Sequence, residues 1–336
     1  MKTQWLRPLS AAALLVLLAL HPGEAAQAAL QSLTMWAQSV APSLLPFLIV
    51  IPALTGPDVS RMLSRFSGGF LHLMRLPAHS TGALLIGLLS GSPAGAAALA
   101  SVRKDPSDPT GAFLRAALMA SGASPAFLLG SVSSMLPEGA GPLLLSAQVS
   151  SSLLTGLLLR RFGSDHPVPL SAPARPRGGA VLSAALTLLA IAGYMALFSV
   201  IARLLCLYLG PDAETPLLAA LELAGGCSAL ASLPAPAPVK LPVIAAAACF
   251  GGVSVYAQCM SFLRPLGIDS IEYAVGKLVQ AALCAVIACV QAELAARFTA
   301  RVIVLLPLSL VLSSALLSLR FRSPESSMPL SEKRAA

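Results

Sequence analysis

The stretch Leu88-Leu-Ser-Gly-Ser-Pro-Ala-Gly-Ala96 decides how this chain is read. It sits inside an apolar run over residues 81–102. About 20 such residues suffice to cross a bilayer as one helix. Yet Ser90, Gly91, Ser92, Pro93 and Gly95 occupy its middle. Proline removes a backbone donor and clashes with the preceding turn, and glycine lets the backbone leave the helix at little cost. Interrupted backbone at membrane depth is tolerated only where it is buried in protein or lines a watery cavity. The flanks, His79 on one side and Arg103-Lys-Asp105 on the other, both look cytoplasmic. The stretch therefore reads as the tip of a re-entrant hairpin pointing inward, an arrangement that forms substrate sites in many transporters. A glycine/serine helix-packing seam is the bland alternative.

Outward from that point, composition sets the class. Of 336 residues, 56% are hydrophobic and only 11% charged, with a mean hydropathy of +0.81. Ordinary soluble domains carry about a quarter charged residues, so the chain reads as an all-α polytopic membrane protein with the lipid bilayer as its partner. The net charge of +8 does not point to nucleic acid. Basic residues stand at the ends of apolar runs, as positive-inside topology requires. With the spans placed accordingly, only Arg203, Lys240, Arg297 and Arg301 of the 22 basic residues fall outside or near the outer face. The six cysteines form no CxxC pair and read as small buried hydrophobes. The four histidines form no metal-ligand pair, so no metal or cofactor is expected. No nucleophile–base constellation is visible, so an enzyme is the least favoured class.

In order, residues 1–40 read as a first helix followed by a surface segment, with Ala26-Gln-Ala28 resembling a signal-peptidase site that is expected to stay uncleaved. Residues 41–161 form a first unit. It contains a span opened by Pro42 and kinked at Pro46, an amphipathic interfacial helix with Arg61, Arg65 and Arg75, the hairpin, and a long span broken at Ser121, Gly122 and Ser124. Arg115 is expected to snorkel to the inner face. Residues 162–179, rich in proline and arginine, read as a cytoplasmic linker. Residues 180–297 form a second unit, with interruptions at Glu222 to Ser228 (Gly225, Gly226 and Ser228 within it) and at Gly251, Gly252 and Ser254. Lys277 is expected near the inner end of its last long span. A final span over 302–319 and a polar tail over 320–336 follow.

Each unit reads span, short broken hairpin, long broken span, span, but the first starts outside and the second inside. That is an inverted-topology repeat with two re-entrant or broken helical hairpins and about 7–8 transmembrane helices. The four interruptions are expected to converge near the midplane, where freed N–H groups and helix N-termini favour a small polar, anionic metabolite. Glu222, deep in an apolar segment, is a functional candidate by position. It could carry a proton, orient a solute, bind a cation or cap freed backbone amides. Gln258 offers two donors and an acceptor, and Tyr256 could stack on a flat ring.

Trp36 with Ala41-Pro-Ser-Leu-Leu-Pro-Phe47, Ser90-Gly-Ser-Pro-Ala-Gly95, Leu197-Phe-Ser-Val-Ile201, Leu221-Glu222 with Gly225-Gly226, and Phe250-Gly-Gly-Val-Ser-Val-Tyr-Ala-Gln258 resemble the sporulation integral membrane protein YlbJ (SpoVV) family. The resemblance spans roughly residues 32–290. It implies a nucleoside-recognition or Gate domain, a place in the forespore or mother-cell membrane, and passage of dipicolinate into the developing spore. Ser92 stands where that family is expected to carry Tyr, and Tyr256 where it is expected to carry His. The resulting expectation is a secondary carrier or facilitator of a dipicolinate-like metabolite, with a homo-oligomer compatible with it. The rivals are a non-transporting sporulation scaffold or receptor, and a nucleoside or ion transporter.

Overall fold

The computed structural model describes residues 6–54, 56–103, 105, 108–161 and 179–295, and every regular element among them is helical. The linker at 162–178, the final expected span at 302–319, the tail, and Arg297 and Arg301 lie outside the described residues.

Helices α1 (Leu6–Leu20) and α2 (Pro22–Met35) meet at His21 with a bend of 102°. Pro22 suits the first helical position of α2, where its missing N–H would have had no partner. A π-helical turn over Trp36–Val40 leads into α3 (Ala41–Leu54), whose helical assignment continues through Pro46. The amphipathic α4 (Pro57–Met74) ends at Arg75, left-handed at φ 52°. Arg115 is buried, and its Nη2 donates to the Arg75 carbonyl at 2.9 Å, capping the end of α4.

Helices α5 (Thr81–Ser90) and α6 (Ala94–Val102) fold back on each other: a Cβ built on Gly95 would lie 2.8 Å from the Gly87 Cα. In a continuous helix residues eight apart lie about 12 Å from one another along the axis, so the hairpin expected here is present. After α7 (Thr110–Met119) the chain bends and continues through a π-helical turn, Phe127–Val132, into α8 (Ala140–Leu158). The second unit begins with α9 (Ala180–Leu209). Then α10 (Glu214–Leu221) and α11 (Leu223–Ala231) form another folded-back pair, with a Cβ on Gly226 falling 2.6 Å from the Ala219 Cα. Helices α12 (Ala237–Phe250) and α13 (Gly252–Leu263) make the second broken span, and α14 (Ser270–Ala295) closes the described chain.

Among the described residues four helices are long and apolar enough to cross a membrane, or five if the bent α1/α2 pair counts as one span. That is fewer than the seven or eight expected. Of the expected spans, the one over 302–319 lies outside the described residues, and α3, α5, α6, α7, α10 and α11 each end before the length of a full crossing.

Helix α14 shows why this is a membrane fold. Between Glu272 and Glu293, near its two ends, its exposed residues include Val275, Leu278, Val279, Val286 and Val290, with no charged side chain among them. Its buried stripe alternates three and four residues apart through Tyr273, Lys277, Gln280, Cys284, Ala288 and Gln291, and so carries the polar groups inward against α8 and α12. The order is the reverse of a water-soluble helix. In lipid, polar side chains act between helices and aliphatic ones face out.

Candidate functional site

All four interruptions meet. Gly91, at φ 72°, sits so close to the first unit's second break that an added Cβ would lie 2.6 Å from the Gly122 oxygen and 2.7 Å from the Ser124 nitrogen. The Ser92 N–H donates to the Gly122 carbonyl at 2.8 Å, directly joining those two breaks. In the second unit, Gly251 and Gly252 both have positive φ, and a Cβ on Gly252 would fall 2.8 Å from the Leu221 carbonyl carbon. This joins the other two breaks. Ser92 and Pro93, Ser124 and Glu222 from three breaks, and Gln258 from α13, which follows the fourth, then line one cavity of ≈ 40 Å³ with Phe127 and Met195. That volume admits about three waters.

A second, larger cavity of ≈ 330 Å³ lies between α2, α9, α10 and α11. Gln27, Gln31, Arg203, Glu214, Gly225 and Ser228 are among its lining residues, and its size falls within the range of small-molecule sites. Glu24 anchors Arg203 there, Oε2 accepting from Nη2 at 2.7 Å and from Nε at 2.8 Å. Glu222 lines both cavities and forms part of the partition between them.

The geometry at Glu222 is specific. Its backbone is extended (φ −139°, ψ 133°) and its side chain is the N-cap of α11, Oε1 accepting from the Ala224 N–H at 3.0 Å and Oε2 from the Gly225 N–H at 2.6 Å. The break therefore falls at Glu222, and Gly225, Gly226 and Ser228, expected to form it, are helical within α11. Gly226 serves close packing, letting α11 lie against α10, while Gly225 and Ser228 line the larger cavity. The N–H groups expected to await an anion are already held by a carboxylate, at the end of the helix where negative charge is favoured.

The remaining expected residues divide. Ser90 bonds back to the Ile86 carbonyl at 2.6 Å, and the Ser121 hydroxyl to that of Leu118 at 3.1 Å, so both hydroxyls serve their own helices. Gly95 serves the hairpin contact. Ser124 caps the turn that follows, accepting from the Phe127 N–H. Ser254 is fully buried and accepts from Gln258 Nε2 at 3.1 Å. Tyr256 does not line either cavity. It stacks on Tyr273 with ring centroids 5.8 Å apart and donates its hydroxyl to the Ser270 carbonyl at 2.7 Å.

Two residues to which the sequence reading gave no part in the site hold the breaks in position. Gln148 of α8 accepts from the Ala123 N–H at 2.9 Å and donates to the Ala123 carbonyl at 2.7 Å, replacing both backbone bonds lost where α7 ends. A lone amide in the apolar run of α8 was the available signal. Gln148→Leu is expected to leave both Ala123 groups unpaired in the interior, at about 2–4 kcal/mol. The check is a fall in the thermal midpoint of the purified protein in detergent, with Gln148→Glu failing to restore it because the carboxylate cannot donate to the Ala123 carbonyl. Lys277, eight residues into α14, is buried, with its ammonium donating to the Ser121 carbonyl at 2.9 Å, the Cys249 carbonyl at 2.5 Å and Gln280 Oε1 at 3.0 Å.

Comparison with known proteins agrees with the lipid-facing architecture. The chain is homologous to the sporulation integral membrane protein YlbJ of Bacillus subtilis (strain 168), 27% identical over 314 residues that cover 79% of this chain and 77% of that protein. No family model matches the chain, and no solved structure matches it. The protein is thus an integral membrane protein related to a sporulation protein.

Proposed function

We propose that this protein is a secondary carrier or facilitator, not an enzyme, that passes a small carboxylate-bearing metabolite across a membrane of the sporulating cell. One observation carries the reading: residues at three helix interruptions, and Gln258 from the helix that follows the fourth, line one cavity whose partition from a larger cavity includes Glu222. A bundle held by packing alone has no need to break four helices at one place, since each break leaves backbone groups that must find partners. The order hairpin, broken span, long helix recurs in both units, which supports an inverted repeat. The solute class follows from what the α11 N-terminus already accommodates, namely a carboxylate on two adjacent amides. An incoming carboxylate competes with Glu222 for that place. The homology supports the sporulation setting, and the resemblance makes dipicolinate the first solute to try.

The test is uptake by the purified protein in liposomes, preceded by a thermal-shift screen with dipicolinate, nucleosides and divalent cations. A transported solute stabilises by mass action. Leu223→Trp places a large ring in the inner cavity, whose wall Leu223 forms in part. It is expected to reduce uptake at least tenfold while leaving the protein folded. A scaffold predicts no uptake by either protein and no loss of sporulation with the tryptophan variant.

A further inference from the structure

Lys277 is unused by the carrier reading, yet it occupies the most demanding position in the fold. It is 3% exposed, on the inward stripe of α14, and all three of its donors go to neutral oxygens. Two of those oxygens belong to interrupted helices in different halves of the chain. The Ser121 carbonyl lies just past the end of α7, and the Cys249 carbonyl lies in the last turn of α12. Such carbonyls have no partner within their own helix, and the helix dipole makes them favourable to positive charge. The third, Gln280 Oε1, is aimed by its own amide nitrogen, which donates to the Leu118 carbonyl and to Ser152 Oγ, each at 2.9 Å. Carbonyls at broken helix ends are the groups with which carriers built of discontinuous helices coordinate a coupling cation.

We propose that the oxygens of Ser121, Cys249 and Gln280 form a monovalent-cation site that this protein keeps permanently filled with its own Lys277 ammonium. Lys277 is the tethered cation at the helix C-termini, as Glu222 is the tethered anion at a helix N-terminus. Two consequences follow. Removing the ammonium leaves a site for Na⁺, with waters completing its shell in the space the side chain vacates. The intact protein needs no Na⁺, a consequence that rests on the carrier reading, whereas the site itself does not.

The experiment compares thermal midpoints of the full-length protein in detergent, with NaCl exchanged for choline chloride at equal ionic strength. Wild type is expected to show the same midpoint in both salts. Lys277→Ala is expected to unfold at lower temperature in choline and to recover by about 3 °C or more in Na⁺, a stabilisation of roughly 1 kcal/mol. Should the alanine variant be too unstable to isolate, Lys277→Gln takes its place. Its amide can donate to two of the oxygens and leaves the third for the ion. Equal midpoints in the two salts for whichever variant folds would overturn the proposal. Wild-type uptake that disappears when choline replaces Na⁺ would do so as well. A wild type inert in the uptake arm counts against the carrier reading alone, since the thermal arm judges the cation site without any transport.

Discussion

Glu222→Gln is expected to yield a folded protein that has lost at least nine-tenths of its solute uptake. The substitution preserves shape and one carbonyl oxygen, so one of the two amides at Ala224 and Gly225 keeps its acceptor. The other then faces an amide nitrogen, donor against donor. The structural cost is one charge-assisted bond, about 1.5–3 kcal/mol, to be read as a drop of several degrees in thermal midpoint. The functional cost is larger, because the group that divides the vestibule from the inner cavity no longer carries charge. Glu222→Ala removes both bonds and the helix cap together, with a fall in midpoint at least as great as that of the glutamine variant. The measurement is initial uptake rate in liposomes, normalised to inserted protein. Unimpaired transport by Glu222→Gln would reduce Glu222 to a cap and remove it from the pathway.

Gly91→Ala is expected to be among the most damaging small substitutions in the chain. At φ 72° and ψ −164° the residue occupies backbone space that only glycine enters readily. The added Cβ would also meet three backbone atoms of the neighbouring break, none farther than 2.9 Å. Backbone cannot step aside as a flexible side chain can. Strain of about 1–3 kcal/mol is joined by the loss of the Ser92–Gly122 bond that fixes the two breaks together. The expected result is failure to recover monodisperse protein, or a large fall in its thermal midpoint. Gly130→Ala is the control, since a Cβ there meets nothing within 4 Å. Near-wild-type stability of Gly91→Ala would mean that the hairpin tip does not dock as described.

Much of this was legible because membrane sequences advertise their interruptions. Pro93 with its glycines, and Gly251-Gly252, are the wrong residues for the interior of an apolar helix, and each marks a break in the structure. At Glu222 the signal misled by a few residues. Gly225-Gly226 resembles a break, but a pair of glycines serves close helix packing equally well, and only the contact with α10 decides between the two. Tyr256 offered a plausible stacking surface, and Tyr273, seventeen residues on, takes it.

Composition and the positions of the helix breakers were enough to determine that the chain is helical, embedded in lipid and interrupted near Pro93, Ser121, Glu222 and Gly251. Those properties depend on local backbone chemistry and on the solvent around it. Which breaks touch, and that Glu222 and Lys277 each hydrogen-bond the backbone at a helix end, were decided only by tertiary structure. The oxygens of Ser121 and Cys249 are 128 residues apart in the chain, and a single ammonium from a third helix brings them together. No local pattern encodes such a meeting, because a backbone carbonyl is the same group in every residue and acquires its role from what is packed beside it.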